Sequence, residues 1–460
     1  MRRYKPWFQK SIWPAEEFIA VRLLEVELSQ ALPEVAQTTA STGALYGRLQ
    51  VLVRLHGQPL GRIELPLPID GLKPTALADA VWHALHEAIN KHLQADGLVP
   101  IASLPWSGLS SPTMPTCRQE HEQWQCRAPF ASVVVATRNR LDSLAVCLRS
   151  LLRLNYPQYE VIVVDNAPST DATAAFVEQL AQTHSQVRYV PEDRPGTAWA
   201  RNAGLYAARG EIVAFTDDDV IADPDWLAAL ARPMDADSNV GCVCGLIVPI
   251  ELDTHAQSLI EQYGGFSKGW MCQSYNLAEH RPSHPLFPYA AGTFGSGANM
   301  AFRASVLRAR GGFPSTLGGG TPALGGEDLA AFFEIINGGY TLVYEPMAIV
   351  HHLHHRSYTQ LRRQVYSYGV GLASYLTHCA VEHPPLLLDI AAKVPYGLFF
   401  LLSARSPKNS KKIQGYPREL TYAELAGLLY GPFAYFRSRW SPWRRMQRAT
   451  TDTPTLQPHG

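Results

Sequence analysis

Hydrophobic and polar residues alternate in two short stretches near the amino terminus, and apolar residues then recur with the spacing of a helix. The alternating apolar positions are Leu49, Val51, Val53 and Leu55, followed after a turn by Ile63, Leu65 and Leu67. A period of two is typical of half-buried strands, so these stretches predict a β-hairpin. After Pro74, apolar residues from Leu77 to Leu93 have helical spacing, and Gly97 can end that helix. Residues 1–127 are therefore predicted to form a small α+β domain.

Three histidines, His83, His86 and His92, lie on this predicted helix. We interpret them as part of a solvent-exposed face, because His83 and His86 have no carboxylate or cysteine partner at metal-ligand spacing. Residues 103–129 contain prolines at four positions and have the composition of a linker. No chemistry is predicted for this domain.

From Phe130 onward, short apolar runs alternate with helical patterns of about ten residues. The predicted strands are 131–136, 160–164, 187–190 and 212–216, and the predicted helices are 143–152, 171–180 and 197–208. This alternation predicts a mostly parallel sheet covered by helices on both faces, in a second domain at residues 128–356. In such sheets, ligands bind beyond the carboxyl ends of the strands.

The fourth of these strands runs directly into three aspartates, in the segment GEIVAFTDDDV. Because side chains alternate along a strand, Asp217 and Asp219 are expected to point the same way and Asp218 the opposite way. Paired carboxylates suit a hard divalent ion, Mg2+ or Mn2+. The alternative is a solvated acidic turn that caps the next helix, although Asp223 already fills that role. Asp165, which follows another strand, is expected at the same edge of the sheet.

Four segments in this order resemble the nucleotide-binding half of family 2 glycosyltransferases of the GT-A fold: SVVVATRNR, EVIVVDN, PGTAWARNAG and GEIVAFTDDDV. Three further segments resemble the acceptor half of that family: GSGANMAFRASVLRARGGF, GGEDLAAFFEIINGGYTLVYEP and IVHHLHH. The resemblance covers residues 130–356. It implies a GT-A fold and metal-dependent, inverting transfer of a sugar of the hexosyl type from a nucleotide-diphosphate sugar. The implied acceptor is a hydroxyl of a glycan, a polysaccharide or a lipid-linked molecule, as in the synthesis of cell-envelope polysaccharides.

The resemblance also implies roles for particular residues. Asp328, which opens a helix, would be the catalytic base, and the metal would be held by Asp217, Asp219 and His352, with His354 as the neighbouring alternative. The residues implied on the donor and nucleotide side are Thr137, Asn139, Asp165, Arg201, Asn202, Asp217 and Asp218. Ala136 and Arg138 depart from the family pattern, which has proline and an aromatic residue at these positions. The glycine-rich residues 311–326 suit a lid that orders on substrate binding, with a surface loop as the alternative.

Two other functions fit parts of the pattern. The strand followed by Asp217, Asp219 and Val220 also resembles the motif of aspartate-nucleophile phosphatases of the haloacid dehalogenase type, although that motif normally closes the first strand of its domain. A sugar-nucleotide-binding protein without catalytic activity is the second alternative. Turnover of a donor would distinguish these from a transferase.

Composition adds expectations about location and partners. Lys plus Arg and Asp plus Glu number 40 each, so no nucleic-acid partner is predicted. Seven scattered cysteines and an amino terminus without an apolar signal core indicate a reducing compartment, the cytoplasm. Residues 357–460 are predicted to be helical, and residues 401–450 carry ten basic residues against two glutamates, interleaved with aromatic residues. This composition, together with the apolar residues 386–402, favours a peripheral contact at the inner face of a membrane. Packing of the same aromatic residues against the catalytic domain is the alternative.

Overall fold

The computed structural model describes residues 18–111, 113–263, 266–403, 405–406, 408–409 and 416–440. The strands are β1 Ala20–Glu27, β2 Tyr46–Leu55, β3 Gln58–Pro66, β4 Ala131–Thr137, β5 Tyr159–Asn166, β6 Val187–Glu192, β7 Ile212–Asp217, β8 Val220–Ala222, β9 Val240–Pro249, β10 Gln273–Tyr275, β11 Asn299–Arg303 and β12 Thr341–His352. The helices are α1 Pro74–Ala95, α2 Thr116–Gln125, α3 Leu141–Leu151, α4 Ala172–Ala181, α5 Thr197–Ala207, α6 Trp226–Ala236, α7 His255–Tyr263, α8 Ala304–Ala309, α9 Glu327–Asn337, α10 Tyr358–Glu382, α11 Leu387–Leu402 and α12 Arg418–Arg439.

A nine-stranded mixed sheet organises the middle of the chain. Its order is β10-β12-β9-β11-β7-β4-β5-β6, with β8 paired to β12. Strands β7, β4, β5 and β6 are parallel to one another, and β9 is parallel to β12, whereas β11 runs antiparallel to both of its neighbours. The predicted α/β class with a mostly parallel sheet between helices is therefore confirmed. Because β4 and β7 are adjacent and parallel, their carboxyl ends meet at one edge of the sheet.

Both faces of this sheet are buried, as the apolar runs of its strands require. Along β7, Val213 and Phe215 belong to one apolar core, and Ile212 and Ala214 belong to the core on the opposite face. Helix α6 buries Trp226 completely against the second face. The two cores fix the position of β7 and thus of the acidic residues at its end.

The amino-terminal part has its own three-stranded sheet and its own core. The predicted hairpin forms β2 and β3, and β1 pairs with β2 in parallel. The predicted helix forms α1, whose apolar residues pack on this sheet. One interpretation was wrong: His92 is 7% exposed and is buried, whereas His83 and His86 are exposed.

Residues 103–129 were predicted to be a linker, but they contain the helix α2. Trp124 of this helix is 4% exposed, and its ring nitrogen donates to Asp235 in α6 over 2.8 Å. Proline composition was misleading here, because Pro115 stands directly before the first turn of α2, where a proline costs no hydrogen bond.

Polar contacts join the amino-terminal part to the large sheet. Arg54 of β2 donates to Asp223, which follows β8, over 2.6 Å. The Tyr46 hydroxyl donates to Asp253, which precedes α7, over 2.7 Å. Arg54 is mostly buried, so it attracts Asp223 more strongly than a surface arginine would, against the cost of removing both charges from water.

Three helices form the carboxy-terminal part of the described chain, as predicted for this region. Helix α12 lies along α10 in the same direction, since Glu419 contacts Tyr358 at one end and Arg439 contacts Glu382 at the other. Helix α11 has no buried residue. Within the described residues, Pro384–Leu402 is the one helical stretch that is long and apolar enough to cross a membrane, judged by length and composition alone.

Candidate active site

A cleft of ≈ 1120 Å³ opens beyond the carboxyl ends of β4 and β7. Its floor contains the aspartates that follow β7, and its walls come from the start of α9 and from α10 and α11. This volume exceeds the usual size of a site for one small ligand, so the cleft has room for two substrates side by side.

The three consecutive aspartates have different surroundings. The side chain of Asp217 is 36% exposed and that of Asp219 is 12% exposed, and both line the cleft. Asp218 is only 3% exposed; its Oδ2 accepts from the Thr137 hydroxyl over 2.7 Å and its Oδ1 accepts from Arg140 over 2.7 Å. Burial raises the pKa of Asp218 to about 6, although Arg140 acts in the opposite direction. Asp218 therefore anchors the turn while its two neighbours face the ligand space.

His352, the last residue of β12, lies beside Asp219. The two side chains approach to 3.3 Å between His352 Nε2 and Asp219 Oδ1, an oxygen that is buried and accepts no well-aligned hydrogen bond from the described residues. Burial opposes ionisation of Asp219, but His352 and Arg140 outweigh it and hold the pKa of Asp219 well below its usual range. The same carboxylate raises the pKa of His352, against the lowering effect of burial.

The residues at this point fit a divalent cation. Asp217, Asp219 and His352 each offer a donor atom, and these atoms lie within 4.8 Å of one another. Two carboxylates and one imidazole are an acceptable set for Mn2+ or Mg2+, and Asp219 Oδ1 is an acceptor that still lacks an aligned donor.

His354 takes a different position from His352. It is 2% exposed, its Nε2 lies 3.0 Å from Glu261, and its Nδ1 lies 3.1 Å from Nδ1 of His352. Because β12 ends at His352, strand alternation no longer governs His354. The structure therefore brings His352 to the aspartates and places His354 behind it as a support for the ring.

A buried guanidinium connects the aspartates to α9. Arg201 in α5 is 4% exposed, donates to Glu327 Oε1 over 2.8 Å, and donates through its other terminal nitrogen to Asp217 Oδ1 over 3.1 Å. Burial raises the pKa of Glu327 to about 7, although Arg201 acts in the opposite direction. A chain of Glu327, Arg201 and Asp217 thus fixes the start of α9 relative to the end of β7.

Asp328 is the accessible carboxylate at the start of α9. Its Oδ2 accepts from the backbone of Gly297 over 2.9 Å, and its Oδ1 accepts from the backbone of Leu329 over 2.9 Å. It is half-buried and lines the cleft, whereas Glu327 is 5% exposed and bound to Arg201. Of these two neighbours, Asp328 is the one with room to accept a proton from a ligand.

Three predicted donor-side residues do not line the cleft. Asp165 is fully buried at the end of β5 and accepts from the Tyr189 hydroxyl over 3.2 Å. Asn139 holds Ser169, and Asn202 exchanges two hydrogen bonds of 2.8 Å with the backbone of Phe313. Thr137 and Arg201 do line the cleft. The donor-side roles of Asp165, Asn139 and Asn202 stay predictions.

Sequence reasoning missed the participation of Arg140 and Asn166. Arg140 spans Asp218 and Asp219, at 2.7 and 2.9 Å. Asn166 lines the cleft and binds the loop before α5, because its Oδ1 accepts from Gly196 over 2.8 Å. Both stand at strand ends on the same edge of the sheet, which was the available signal.

The glycine-rich residues 311–326 lie folded against α5, where the backbone amide of Thr197 donates to Gly319 over 2.9 Å. The action of this segment as a lid stays a prediction.

Comparison with known proteins gives one family match and several partial relatives. Residues 132–311 match the model of the family described as Glycosyl transferase family 2. A pre-mycofactocin glycosyltransferase from Mycobacterium tuberculosis is 31% identical over 261 residues, which cover 55% of this chain and 48% of the relative. A glucosyl-dolichyl phosphate glucuronosyltransferase from Haloferax volcanii is 25% identical over 191 residues, which cover 41% of this chain and 56% of the relative. The match therefore spans about half the length of these two curated relatives.

The solved structures that are similar to this chain include a mannosyltransferase from Pyrobaculum calidifontis in complex with GDP-Man and Mn2+. It is 21% identical to this chain, has a TM-score of 0.41, and the match covers 73% of this chain and 82% of that one.

Proposed function

We propose that the chain is a glycosyltransferase of family 2, since residues 132–311 match the model of that family, and that it transfers a sugar from a nucleotide-diphosphate sugar to an acceptor hydroxyl. The single observation that carries this proposal is the arrangement of Asp217, Asp219 and His352 in one cleft with Asp328. The first three supply cation ligands, and the fourth supplies an accessible carboxylate.

We assign the donor to the side of the cleft formed by the ends of β4 and β7. Asp217, Asp219 and His352 would hold the divalent cation, which when bound supplies positive charge that neutralises a departing diphosphate. Arg140 pairs with Asp218 and Asp219 and adds a permanent positive charge at this edge. Asp218 keeps the turn in place through Thr137.

Asp328 is assigned as the base that accepts the proton of the attacking hydroxyl. The backbone amide of Gly297 orients one of its oxygens, and Arg201 with Glu327 fixes the helix on which it stands. A single carboxylate base facing a donor site suits one displacement and hence inversion, because no second carboxylate is needed as a nucleophile.

We propose that the acceptor carries an apolar or lipid portion. The wall of the cleft that α11 contributes includes Ile390, Val394, Phe400 and Leu401, and the outer face of this helix is exposed. An apolar wall that continues into an exposed apolar helix suits a lipid chain better than a free sugar. The relative from Haloferax volcanii carries glucosyl-dolichyl phosphate in its name, which agrees with this class of acceptor.

The test is a screen of nucleotide sugars for Mn2+-dependent turnover by the wild-type protein, followed by three variants. Asp219→Asn should lose Mn2+-dependent nucleotide binding together with turnover. Asp328→Asn should keep that binding and lose about 10²- to 10⁴-fold in turnover, because it removes only proton acceptance. Asp193→Asn, an exposed aspartate after β6, is the matched control and should behave as wild type.

The outcomes separate the alternatives. Nucleotide binding without turnover of any donor would favour a non-catalytic sugar-nucleotide-binding protein. Full turnover by Asp328→Asn would remove that residue from the mechanism. The phosphatase alternative needs Asp217 as a free nucleophile, and here this side chain accepts from the buried Arg201. If the wild-type protein released phosphate from a phosphomonoester and Asp217→Asn did not, the phosphatase alternative would be supported.

A further inference from the structure

A second cluster of metal-binding residue types lies in the amino-terminal part of the chain, away from the cleft lining. It consists of His56 in the turn between β2 and β3, His92 and Asp96 at the end of α1, and Cys117 in the first turn of α2. His56, His92 and Asp96 are each less than 9% exposed. Buried charged groups are normally paired with one another or bound to metals, and the residues of this cluster are of the types that do both.

The four donor atoms already converge on one point. All lie within 4.8 Å of one another. Asp96 Oδ2 lies 2.6 Å from His56 Nδ1, 3.1 Å from His92 Nε2 and 3.1 Å from Cys117 Sγ, and the two imidazole nitrogens are 3.1 Å apart. A tetrahedral zinc ion with bonds of 2.0–2.3 Å has edges of about 3.3–3.8 Å, so shifts of under about 1 Å would complete it.

The backbone is shaped to present these side chains. His56 has a φ of 55°, a left-handed conformation that is uncommon for a non-glycine residue. Glu27 enforces it here, since its two carboxylate oxygens accept from the backbone amides of His56 and Gly57, each over 2.9 Å. Asp96 in turn accepts from the backbone amide of Cys117 over 3.0 Å, which holds the start of α2 against the end of α1.

We propose that His56, His92, Asp96 and Cys117 form a structural zinc site. Two imidazoles, one thiolate and one carboxylate are four protein ligands of the types that zinc takes in tetrahedral sites, and a full set of protein ligands is the mark of a structural site. A thiolate together with two imidazoles selects against Mg2+ and Mn2+, which prefer oxygen. The site therefore differs in chemistry from the one at Asp217, Asp219 and His352.

Zinc binding would cross-link segments of the chain. The ion would join the β2–β3 turn, α1 and α2, three segments that are distant in sequence. Helix α2 also contacts α6 through Trp124, and β2 contacts Asp223, just after β8, through Arg54. Zinc would thus fix the amino-terminal domain to the catalytic domain, and it would do so whether or not the protein transfers sugars.

The full-length protein can be tested with zinc and cobalt. After exchange into excess Mg2+, which releases ions from the carboxylate site, the wild-type protein should retain about one zinc ion per chain by elemental analysis. Replacement by Co2+ should give a thiolate-to-cobalt charge-transfer absorption band. Among the cleft residues there is no thiol to produce such a band. Cys117→Ser should abolish the band and His92→Asn should abolish zinc retention.

Matched controls are available on the same helices. Cys126→Ser changes an exposed cysteine at the end of α2, and His86→Asn changes an exposed histidine of α1. Both should retain zinc and the cobalt band. Absence of retained zinc and of a band in the wild-type protein, or a band that survives Cys117→Ser, would overturn the proposal and leave a hydrogen-bonded polar cluster only. The wild-type measurements decide the question even where a variant fails to fold.

Discussion

Replacing Gly326 by alanine should show whether the position of the start of α9 affects activity as well as stability. Gly326 precedes α9 with a φ of 90°, and a Cβ built there would lie 2.6 Å from the carbonyl oxygen of Gly371 in α10 and 3.1 Å from Cβ of Tyr375. The first contact is with backbone, which cannot rotate away as a side chain can. Gly326→Ala must therefore push the beginning of α9, with Asp328, away from α10.

The loss of stability expected for Gly326→Ala is the sum of two costs. A left-handed conformation costs an alanine about 1–2 kcal/mol, and overpacking against a fixed neighbour adds about 1–3 kcal/mol. Gly339, just past the other end of α9, has a φ of 85° and no atom within 4 Å of its Cβ position, so Gly339→Ala carries the first cost alone. The gain from restricting the unfolded chain is the same for both variants and cancels in the comparison.

Calorimetry and donor turnover measure the two effects. We expect the melting temperature to fall in the order wild type, Gly339→Ala, Gly326→Ala. Turnover should fall about 10²-fold for Gly326→Ala, because a displacement of about 1 Å is enough to misplace a base. It should stay near wild type for Gly339→Ala. Equal melting temperatures for the two variants would refute the close contact with α10, and normal turnover in a destabilised Gly326→Ala would refute the link to Asp328.

Three further predictions concern the donor side and the carboxy-terminal helices. Thr137→Val should cost about 1.5–3 kcal/mol of stability with little change in donor affinity, because it removes a hydrogen bond to the buried carboxylate of Asp218; loss of donor affinity at unchanged stability would instead make Thr137 a donor contact. The pKa of His352 is raised by the adjacent carboxylate, so its imidazole stays protonated to higher pH than a free histidine does. Acidification should therefore weaken Mn2+ binding already above a pH of about 6.5. The His352→Asn variant should lack this step in its pH profile, and an unchanged profile in the variant would exclude His352 as a ligand. Full-length protein should float with anionic liposomes at low salt, and Leu388→Asp should reduce flotation more than Val99→Asp does. Val99 is a matched control because it is 83% exposed and Leu388 is 82% exposed. Equal flotation of the two variants would argue against contact through α11.

The alternation of apolar runs with helices was sufficient to predict the central sheet. Strands β4 to β7 and the helices between them lie within a few residues of the predicted bounds. Strands β4, β5 and β7 are short runs buried on both faces, whereas β6 is a partly exposed edge strand. Strand β1 carries three charged residues in eight, so its pattern has no clear period, and pairing with β2 is what defines it. Helix α2 was hidden by prolines for a similar reason: its buried Trp124 packs in the core next to the large sheet, with residues that are distant in sequence.

Position at a strand end predicted the site of Asp217 and Asp219, the family resemblance supplied His352 and Asp328, and chain distance hid the amino-terminal cluster. Asp217 and His352 are the last residues of β7 and β12, which end at the same edge of the sheet. His56, His92 and Cys117 come from three segments, and the thiol has no nearby second cysteine that would produce a recognisable zinc spacing. His92 looked like part of an exposed face because the turn that covers it could not be located from the helix alone.

The charges at the end of β7 and the start of α9 would favour a bound cation. At the end of β7 and the start of α9, five carboxyl groups, at Asp217, Asp218, Asp219, Glu327 and Asp328, lie with two guanidinium groups, at Arg140 and Arg201. The rest of the cleft lining adds Arg138, Arg363 and three lysines against Glu424. Burial lifts the pKa of Asp218 to about 6 and that of Glu327 to about 7, so these two resist full ionisation and each is bound to an arginine. The two arginines also reach Asp217 and Asp219, but only at one oxygen each. A divalent ion between the remaining oxygens would offset the residual negative charge before a diphosphate arrives, which is why nucleotide binding should depend on the ion more strongly than folding does.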